Sequence, residues 1–305
     1  IFLLCKLFQW HLLKTNYFSA PVIVVGNITV GGTGKTPVVI ALARFLKEKG
    51  WRPGIVSRGY GGKIKHFPYQ VHQNSNAREV GDEPLLIVRH TDCPTVIDPN
   101  RSRGVRALLK RAHCNLVISD DGLQHSSLGR NIEIIVVDGE RRFGNNFCLP
   151  AGPLREPTSR LNSVDFVISK ENPLRHEFKL SLIPDHFYQL IQPKIKKTLD
   201  YFHGKTLHAV AGIGNPDQFF NSLRKLNLKI IEHPFPDHYL FKPHDFSYGS
   251  DAIIIMTEKD AVKCVGFVDA RLWCLNTKTE LDTNLLNTVL KRVTTLNNNL
   301  KSSSG

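Results

Sequence analysis

Apolar residues along the chain alternate between short β-branched runs and stretches with helical spacing. Pro21-Val-Ile-Val-Val25 is bounded by Pro and Gly and predicts a strand buried on both faces. Pro37 to Lys47 has helical periodicity, Gly50 lies in C-cap range, and Arg52 to Ser57 predicts the next strand. The same text continues with helices at Pro84 to Arg89 and Arg101 to Ala112. Strands are predicted at Pro94–Ile97, Asn115–Ser119, Ile132–Val137 and Phe166–Ser169. This alternation predicts an α/β fold with a doubly wound, mostly parallel sheet. From 171 to 200 the chain turns Pro- and Lys-rich, as in a linker. A smaller α/β unit follows, with strands at Leu207–Ala211, Lys229–Ile231, Ala252–Met256 and Arg271–Leu275. Its helices are predicted at Pro216–Leu226 and at the end of the chain, to about Leu296. The expected division is therefore 1–18 as an N-terminal helix, 19–178 as core domain, 179–204 as linker and 205–305 as second domain.

Within 1–18, Leu4, Leu7, Phe8 and Leu12 share one helical arc, with Lys6, Gln9 and Asn16 opposite and His11 interrupting. Two readings fit: a helix lying on a membrane, or one packed on the protein's own core. No apolar run is long enough for a conventional membrane span. The chain begins with Ile rather than Met, which reads as a missing native start.

A length of 305 residues suits about two domains, and 41% hydrophobic with 22% charged residues excludes a disordered or collagen-like chain. The formal net charge of +13 favours an anionic partner: nucleic acid, membrane surface or phosphorylated substrate. The basic residues are spread along the chain rather than gathered in a stripe, which argues against nucleic acid. The six cysteines form no C-x-x-C and no zinc-finger spacing, so neither a disulfide framework nor a metal-carrying nucleotide switch is supported.

The strongest chemical signal is Thr29-Val-Gly-Gly-Thr-Gly-Lys-Thr36 between the first strand and first helix. It matches the end of a P-loop, with Thr29 where the leading Gly stands, and predicts a P-loop NTPase-like core. Gly31, Gly32, Thr33 and Gly34 would let backbone N–H groups converge on phosphate, Lys35 would reach the β- and γ-phosphates, and Thr36 would ligate Mg²⁺. Asp120 and Asp121 end a predicted parallel strand, where a carboxylate reaches a cation held by the loop; they also read as turn residues before Gly122. Asp82 and Glu83 precede a predicted helix, as a cap with Pro84 at its start or as a proton acceptor. Thr257 with Asp260 reads as a capping box, and nucleotide contact is the second reading there. Asn100-Arg-Ser-Arg103 and Leu154-Arg-Glu156 are solvated helix-start charges or phosphate-capturing arginines. His238 sits in a rigid aromatic loop, Pro234 to Tyr239.

Read together, several segments resemble one family, the tetraacyldisaccharide 4'-kinases of lipid A synthesis in Gram-negative bacteria. They are Gly26–Pro37, Ser57-Arg-Gly-Tyr-Gly-Gly62, Val80-Gly-Asp-Glu-Pro84, Ser119-Asp-Asp-Gly-Leu-Gln-His125, Ala151-Gly-Pro-Leu-Arg-Glu-Pro157 and Ala211-Gly-Ile-Gly-Asn-Pro216. The resemblance implies ATP- and Mg²⁺-dependent phosphorylation of a lipid A disaccharide precursor at the cytoplasmic face of the inner membrane. It implies a monomer, peripheral or N-terminally anchored on the anionic surface, with no nucleic-acid partner. It further implies Asp82 as base acting with His238, phosphates and Mg²⁺ on Lys35, Thr36, Asp120 and Asp121, and substrate contacts from Asn100, Arg101, Arg103, Gln124, Arg155 and Glu156. On this reading the first 18 residues serve the membrane.

Overall fold

The β-branched run after Pro21 forms β1 (Val22–Gly26), buried along its whole length. It pairs in parallel with β5 (Leu116–Asp120) on one side and β6 (Ile132–Asp138) on the other. The parallel ladder extends through β2 (Pro53–Ser57) and β4 (Thr95–Ile97) beyond β5, and through β7 (Phe166–Lys170) beyond β6. Continuous apolar runs are required here because both faces are covered. On one face, α1 (Lys35–Glu48) and α3 (Asp82–Thr91) bury Val39, Leu42, Leu46 and Ile87 against Ile23 and Ile118. On the other, α4 (Arg101–Arg111) and the segment 143–164 cover Val24, Val117 and Ile135 with Val105, Leu108 and Leu154. Each such aliphatic side chain contributes about 1.5–3 kcal/mol on burial. The antiparallel β3 (Tyr69–Val71) closes the edge and leads through α2 (Ala77–Val80) into α3. The computed structural model describes residues 14–302. The predicted N-terminal helix falls mostly on residues outside that range; within it, Asn16 bridges to Leu128 and residues 14–18 are not helical.

The second lobe is built on β10 (Thr206–Ala211), flanked in parallel by β11 (Lys229–Pro234) and β12 (Ile253–Thr257). Helix α5 (Pro216–Lys225) packs Phe219, Phe220 and Leu223 beneath it. Helix α6 (Glu258–Ala261) follows β12, and β13 (Leu272–Leu281) pairs with β12.

Two expected boundaries are corrected. The segment read as linker contains β8 (Phe178–Gln189), parallel to β7 and antiparallel to β13, so one 13-stranded sheet runs through both lobes. Its prolines suggested a linker because Pro cannot donate to a ladder. Pro184 lies at the irregularity opposite Thr277, where the register shifts and a missing N–H is tolerated. A two-residue β9 (Lys196–Lys197) then pairs back on β8. The C-terminal boundary moves as well. Helix α7 (Thr283–Ser302) leaves the second lobe and packs Leu285, Val289 and Val293 into the first lobe's core, with Arg292 paired to Asp165 over the Phe166 ring.

The carboxyl ends of β1, β2, β5, β6 and β7 lie at one edge. Strands β5 and β6 continue the chain on opposite sides of β1, which makes the crevice above β1 the switch point where α/β sheets bind ligands. A cleft of about 1780 Å³ lies there, lined by both lobes.

Candidate active site

Strand β1 delivers the chain into a loop whose Gly31 and Gly34 have φ of 91° and 94°, values that L side chains rarely adopt. Gly34 is the N-cap of α1 and offers no side chain to the first-turn N–H groups, leaving them for a ligand anion. Thr29 needs no such freedom: it is a buried bridge residue opposite Leu154. The loop is strapped from outside. Val30 N–H donates to the Pro153 carbonyl at 2.9 Å and Arg155 N–H to Ile28 at 2.7 Å. The Arg141 guanidinium donates to the Gly32 carbonyl at 2.7 Å. From the second lobe, Gly214 comes so near that a Cβ there would lie 3.6 Å from the Gly32 nitrogen.

Beside this loop, Lys35 Nζ lies 3.7 Å from Asp121 Oδ1, and Arg155 is 3.2 Å from the other Asp121 oxygen. Burial raises the Asp121 pKa, but Lys35 and Arg155 outweigh it and hold the carboxyl below its ordinary value. Asp120 behaves oppositely. Its Oδ2 accepts from Ser57 Oγ at 3.0 Å, while its buried Oδ1 has no hydrogen-bond partner. Burial, with Glu83 and Asp121 nearby, pushes Asp120 up to about 7. An orphaned carboxylate oxygen beside the phosphate loop is what a cation would satisfy. Asp120, Asp121 and the Thr36 hydroxyl are hard oxygen donors of the kind Mg²⁺ takes, usually one or two together with phosphate and water. Among the described residues, no group of three or more His, Cys, Asp or Glu forms a closed metal cage.

The second lobe supplies the cleft's opposite wall. Gly81 (φ 91°) is the N-cap of α3, so the cap expected at Asp82 lies one residue earlier. Asp82 opens the helix and points into the lobe boundary: its Oδ1 accepts from Glu83 N–H at 2.8 Å, and its Oδ2 lies 3.0 Å from His238 Nδ1. A carboxylate only accepts, so Nδ1 carries the proton. His238 adopts a left-handed backbone (φ 58°) and packs its ring on Tyr60 at 5.1 Å. Burial raises Asp82, but the His238 hydrogen bond and Lys259 overcome this and leave its pKa lowered. The Asp82 hydrogen bond likewise raises His238 above its ordinary value. His238 lines the cleft and Asp82, 4% exposed, sits behind it.

Other predicted residues are placed differently. Asn100 caps α4, accepting from Arg103 N–H at 3.0 Å, and the Arg103 guanidinium forks onto Asp98 at 2.7 and 2.9 Å. Arg101 is buried and donates to the carbonyls of Asp98 (2.8 Å), Asp120 and Asp121 (3.4 Å each). None of the three, expected as substrate contacts, lines the cleft. Arg101 instead holds the Asp120–Asp121 turn. Gln124 faces the cleft while donating to Asn27 O at 3.0 Å and Glu156 at 2.8 Å; Glu156 is also tied to Arg160 and stands behind it. Sequence reasoning gave no site role to Lys259, Asp237, Tyr60 or Lys170, all of which line the cleft. The Ser57–Gly62 glycines were the available signal for Tyr60. Lys259 was masked by the capping-box reading, of which the structure contains the N-cap half: Thr257 Oγ1 accepts from Asp260 N–H at 3.1 Å.

The strand–loop–helix with an uncapped amino end places this chain in the P-loop nucleotide-binding class. An acid–imidazole pair assembled across the lobes suits a member that transfers phosphate to an acceptor. The family described as LpxK, tetraacyldisaccharide-1-P 4'-kinase, matches residues 2–295. The tetraacyldisaccharide 4'-kinase of Nitrosococcus oceani is 50% identical over 273 residues, covering 88% of this chain and 80% of the relative. That of Methylobacillus flagellatus is 48% identical over 291 residues, covering 95% and 87%. The crystal structure of LpxK from Aquifex aeolicus in complex with ATP superposes with a TM-score of 0.78 at 28% identity, covering 94% of this chain and 93% of that one. The chain belongs to the tetraacyldisaccharide 4'-kinase family.

Proposed function

We propose that this protein transfers the γ-phosphate of ATP to the 4'-hydroxyl of a tetraacyldisaccharide 1-phosphate, a lipid A precursor. The observation that carries this reading is the 3.0 Å Asp82–His238 hydrogen bond, which a first-lobe helix and a second-lobe loop bring together in the cleft of the phosphate loop. Phosphoryl transfer asks the protein for position and electrostatics. The N–H groups of the 31–34 loop and the start of α1 would hold the β- and γ-phosphates, and Lys35 would follow the charge that develops as the γ-phosphoryl moves. Thr36, Asp120 and Asp121 would hold Mg²⁺, which when bound neutralises phosphate charge. A sugar hydroxyl is a poor nucleophile, and the Asp82–His238 pair accepts its proton as the new O–P bond forms. The imidazole presents the pair to the cleft, with Asp82 fixing its tautomer and offsetting the charge it acquires. Arg155 and Gln124 are the predicted substrate residues that face the cleft.

A lipid substrate places the reaction at a membrane, and the +13 charge suits an anionic surface. Among the described residues no helix is long and apolar enough to cross a bilayer. We read the protein as peripheral on the cytoplasmic face of the inner membrane, acting as a monomer and without nucleic acid, with residues 1–18 as its contact. The test is γ-phosphate label transfer from ATP to the disaccharide 1-phosphate in mixed micelles. Label in the lipid fraction is the expected result; ATP hydrolysis stimulated by DNA and indifferent to lipid would overturn the reading.

A further inference from the structure

The acids around His238 outnumber the cations. Asp82 of α3 and Asp237 of the loop after β11 flank the imidazole from both lobes, and Glu83, next to Asp82 on α3, adds a third carboxylate to the group. One ammonium faces all three. Lys259 Nζ lies 3.0 Å from Glu83 Oε1, 3.8 Å from Asp237 Oδ1 and 3.9 Å from Asp82 Oδ2. The lysine is held in place rather than draped. Its helix α6 is only one turn long, yet Thr257 caps it, and Asp260 ties it to Gly212 N–H at 3.1 Å and to Lys263 at 2.6 Å. Lys263 in turn donates to the Gly212 carbonyl at 3.1 Å. Gly212 begins the second-lobe turn whose Gly214 approaches the phosphate loop. On its other side, His90 of α3 lies 3.1 Å from Glu258, the residue before Lys259.

We propose that Lys259 is a positioning residue for phosphoryl transfer, gathering Asp82, Glu83 and Asp237 so that Asp82 and His238 stay aligned across the lobe boundary. The inference rests on the proton-accepting role assigned above to that pair. Lys259 does this through charge. Without it, three carboxylates crowd a pocket in which Asp82 is almost fully enclosed, and like charges there favour proton uptake. Lys259 holds Asp82 down and, by repelling the imidazolium, holds His238 down too. The other charges facing the group are Asp260 and Lys263 on the same turn, which neutralise each other, and Glu258, which His90 engages. Both members of the pair therefore move the same way when Lys259 is lost, and they titrate as one unit.

The experiment compares wild type, Lys259→Met, Lys259→Arg and Asp82→Asn in label transfer to the disaccharide 1-phosphate, with kcat and kcat/KM followed from pH 5 to 9. Lys259→Met is expected to lose about tenfold or more in kcat at pH 7 with KM for ATP little changed. The acid limb of its pH profile should move up by about one unit, the shift a lost neighbouring charge at this range produces. Lys259→Arg should restore the limb and most of the rate. Circular dichroism of each variant checks that the fold is retained; if Lys259→Met does not fold, Lys259→Gln at the same position carries the comparison. A rate loss with the acid limb unmoved would overturn positioning and assign Lys259 to direct contact with the phosphoryl group. Full activity in Lys259→Met beside an inactive Asp82→Asn would overturn the inference alone. An active Asp82→Asn with an unchanged profile would overturn the proton-accepting pair and the inference with it.

Discussion

Lys35 has a carboxylate partner in Asp121, 3.7 Å away, and sits at the uncapped start of α1. Its cation matters most where charge develops, so Lys35→Ala is expected to lower kcat by on the order of 100- to 1000-fold, measured as label transfer at saturating lipid. His238 makes a second residue-scale prediction, on stability. Its folded-state pKa is raised, chiefly by the Asp82 hydrogen bond. A raised value means that the proton stabilises the fold: the contribution is complete below about 6.5, the unfolded value, and is lost as pH rises through the higher folded value. The urea midpoint of wild type minus that of His238→Gln should therefore be largest near pH 6 and shrink toward pH 8. A constant difference would remove the charge-assisted bond. At this scale the sequence disclosed what is local. The glycines, Lys35 and Thr36 of the phosphate loop are adjacent, and their chemistry follows from spacing. Asn100, Arg101 and Arg103 are close together too, yet Asn100 caps α4, the Arg103 guanidinium is spent on Asp98 and the terminal nitrogens of Arg101 on backbone carbonyls, a fate no local pattern reveals. Asp82 and His238 stand 156 residues apart, so only resemblance joined them before the fold did.

Secondary structure of the first lobe was legible because covered parallel strands are uninterrupted apolar runs and their helices keep a clear period. Strand β8 was not, because it is half-covered, changes partner from β7 to β13 and carries Pro184 at an irregular step. Its burial alternates irregularly, and nothing local marks a strand that joins two lobes. Helix α7 was expected in the right place but assigned to the wrong lobe, since periodicity says that a face is buried and not against what. That assignment is testable. Leu285 is fully buried in the first-lobe core, so Leu285→Ala should cost about 2–5 kcal/mol in urea unfolding. Its effect should appear in a probe of the first lobe, Trp51 fluorescence, which packs in the same core. A loss confined to the second lobe would place α7 there instead. Gly62 offers a sharper local check: a Cβ would lie 2.4 Å from the Glu79 carbonyl, so Gly62→Ala should displace the Ser57–Gly62 loop and raise KM for the lipid acceptor.

On the scale of the whole molecule, one sheet carries a phosphate-binding edge on the first lobe and His238 on the second, with β8 and β13 as the strands between. The net charge of +13 predicts attraction to anionic vesicles that weakens with salt. Sedimentation with phosphatidylglycerol vesicles should decline from 50 to 500 mM salt, and deletion of residues 1–18 should weaken it further without unfolding the chain. Equal binding to zwitterionic vesicles would remove the electrostatic part. The central claim, however, is that the two lobes assemble one proton-accepting unit, and groups acting as a unit lose activity non-additively. The most direct measurement is a double-mutant cycle on kcat with Asp82→Ala, His238→Ala and the combined variant, with ATP affinity measured in each. The expected result is a large loss in either single variant, a double variant little worse than the poorer single one, and ATP affinity nearly constant. Losses that multiply in the double variant, or an ATP affinity that collapses with His238→Ala, would contradict the unit and leave His238 as a nucleotide contact.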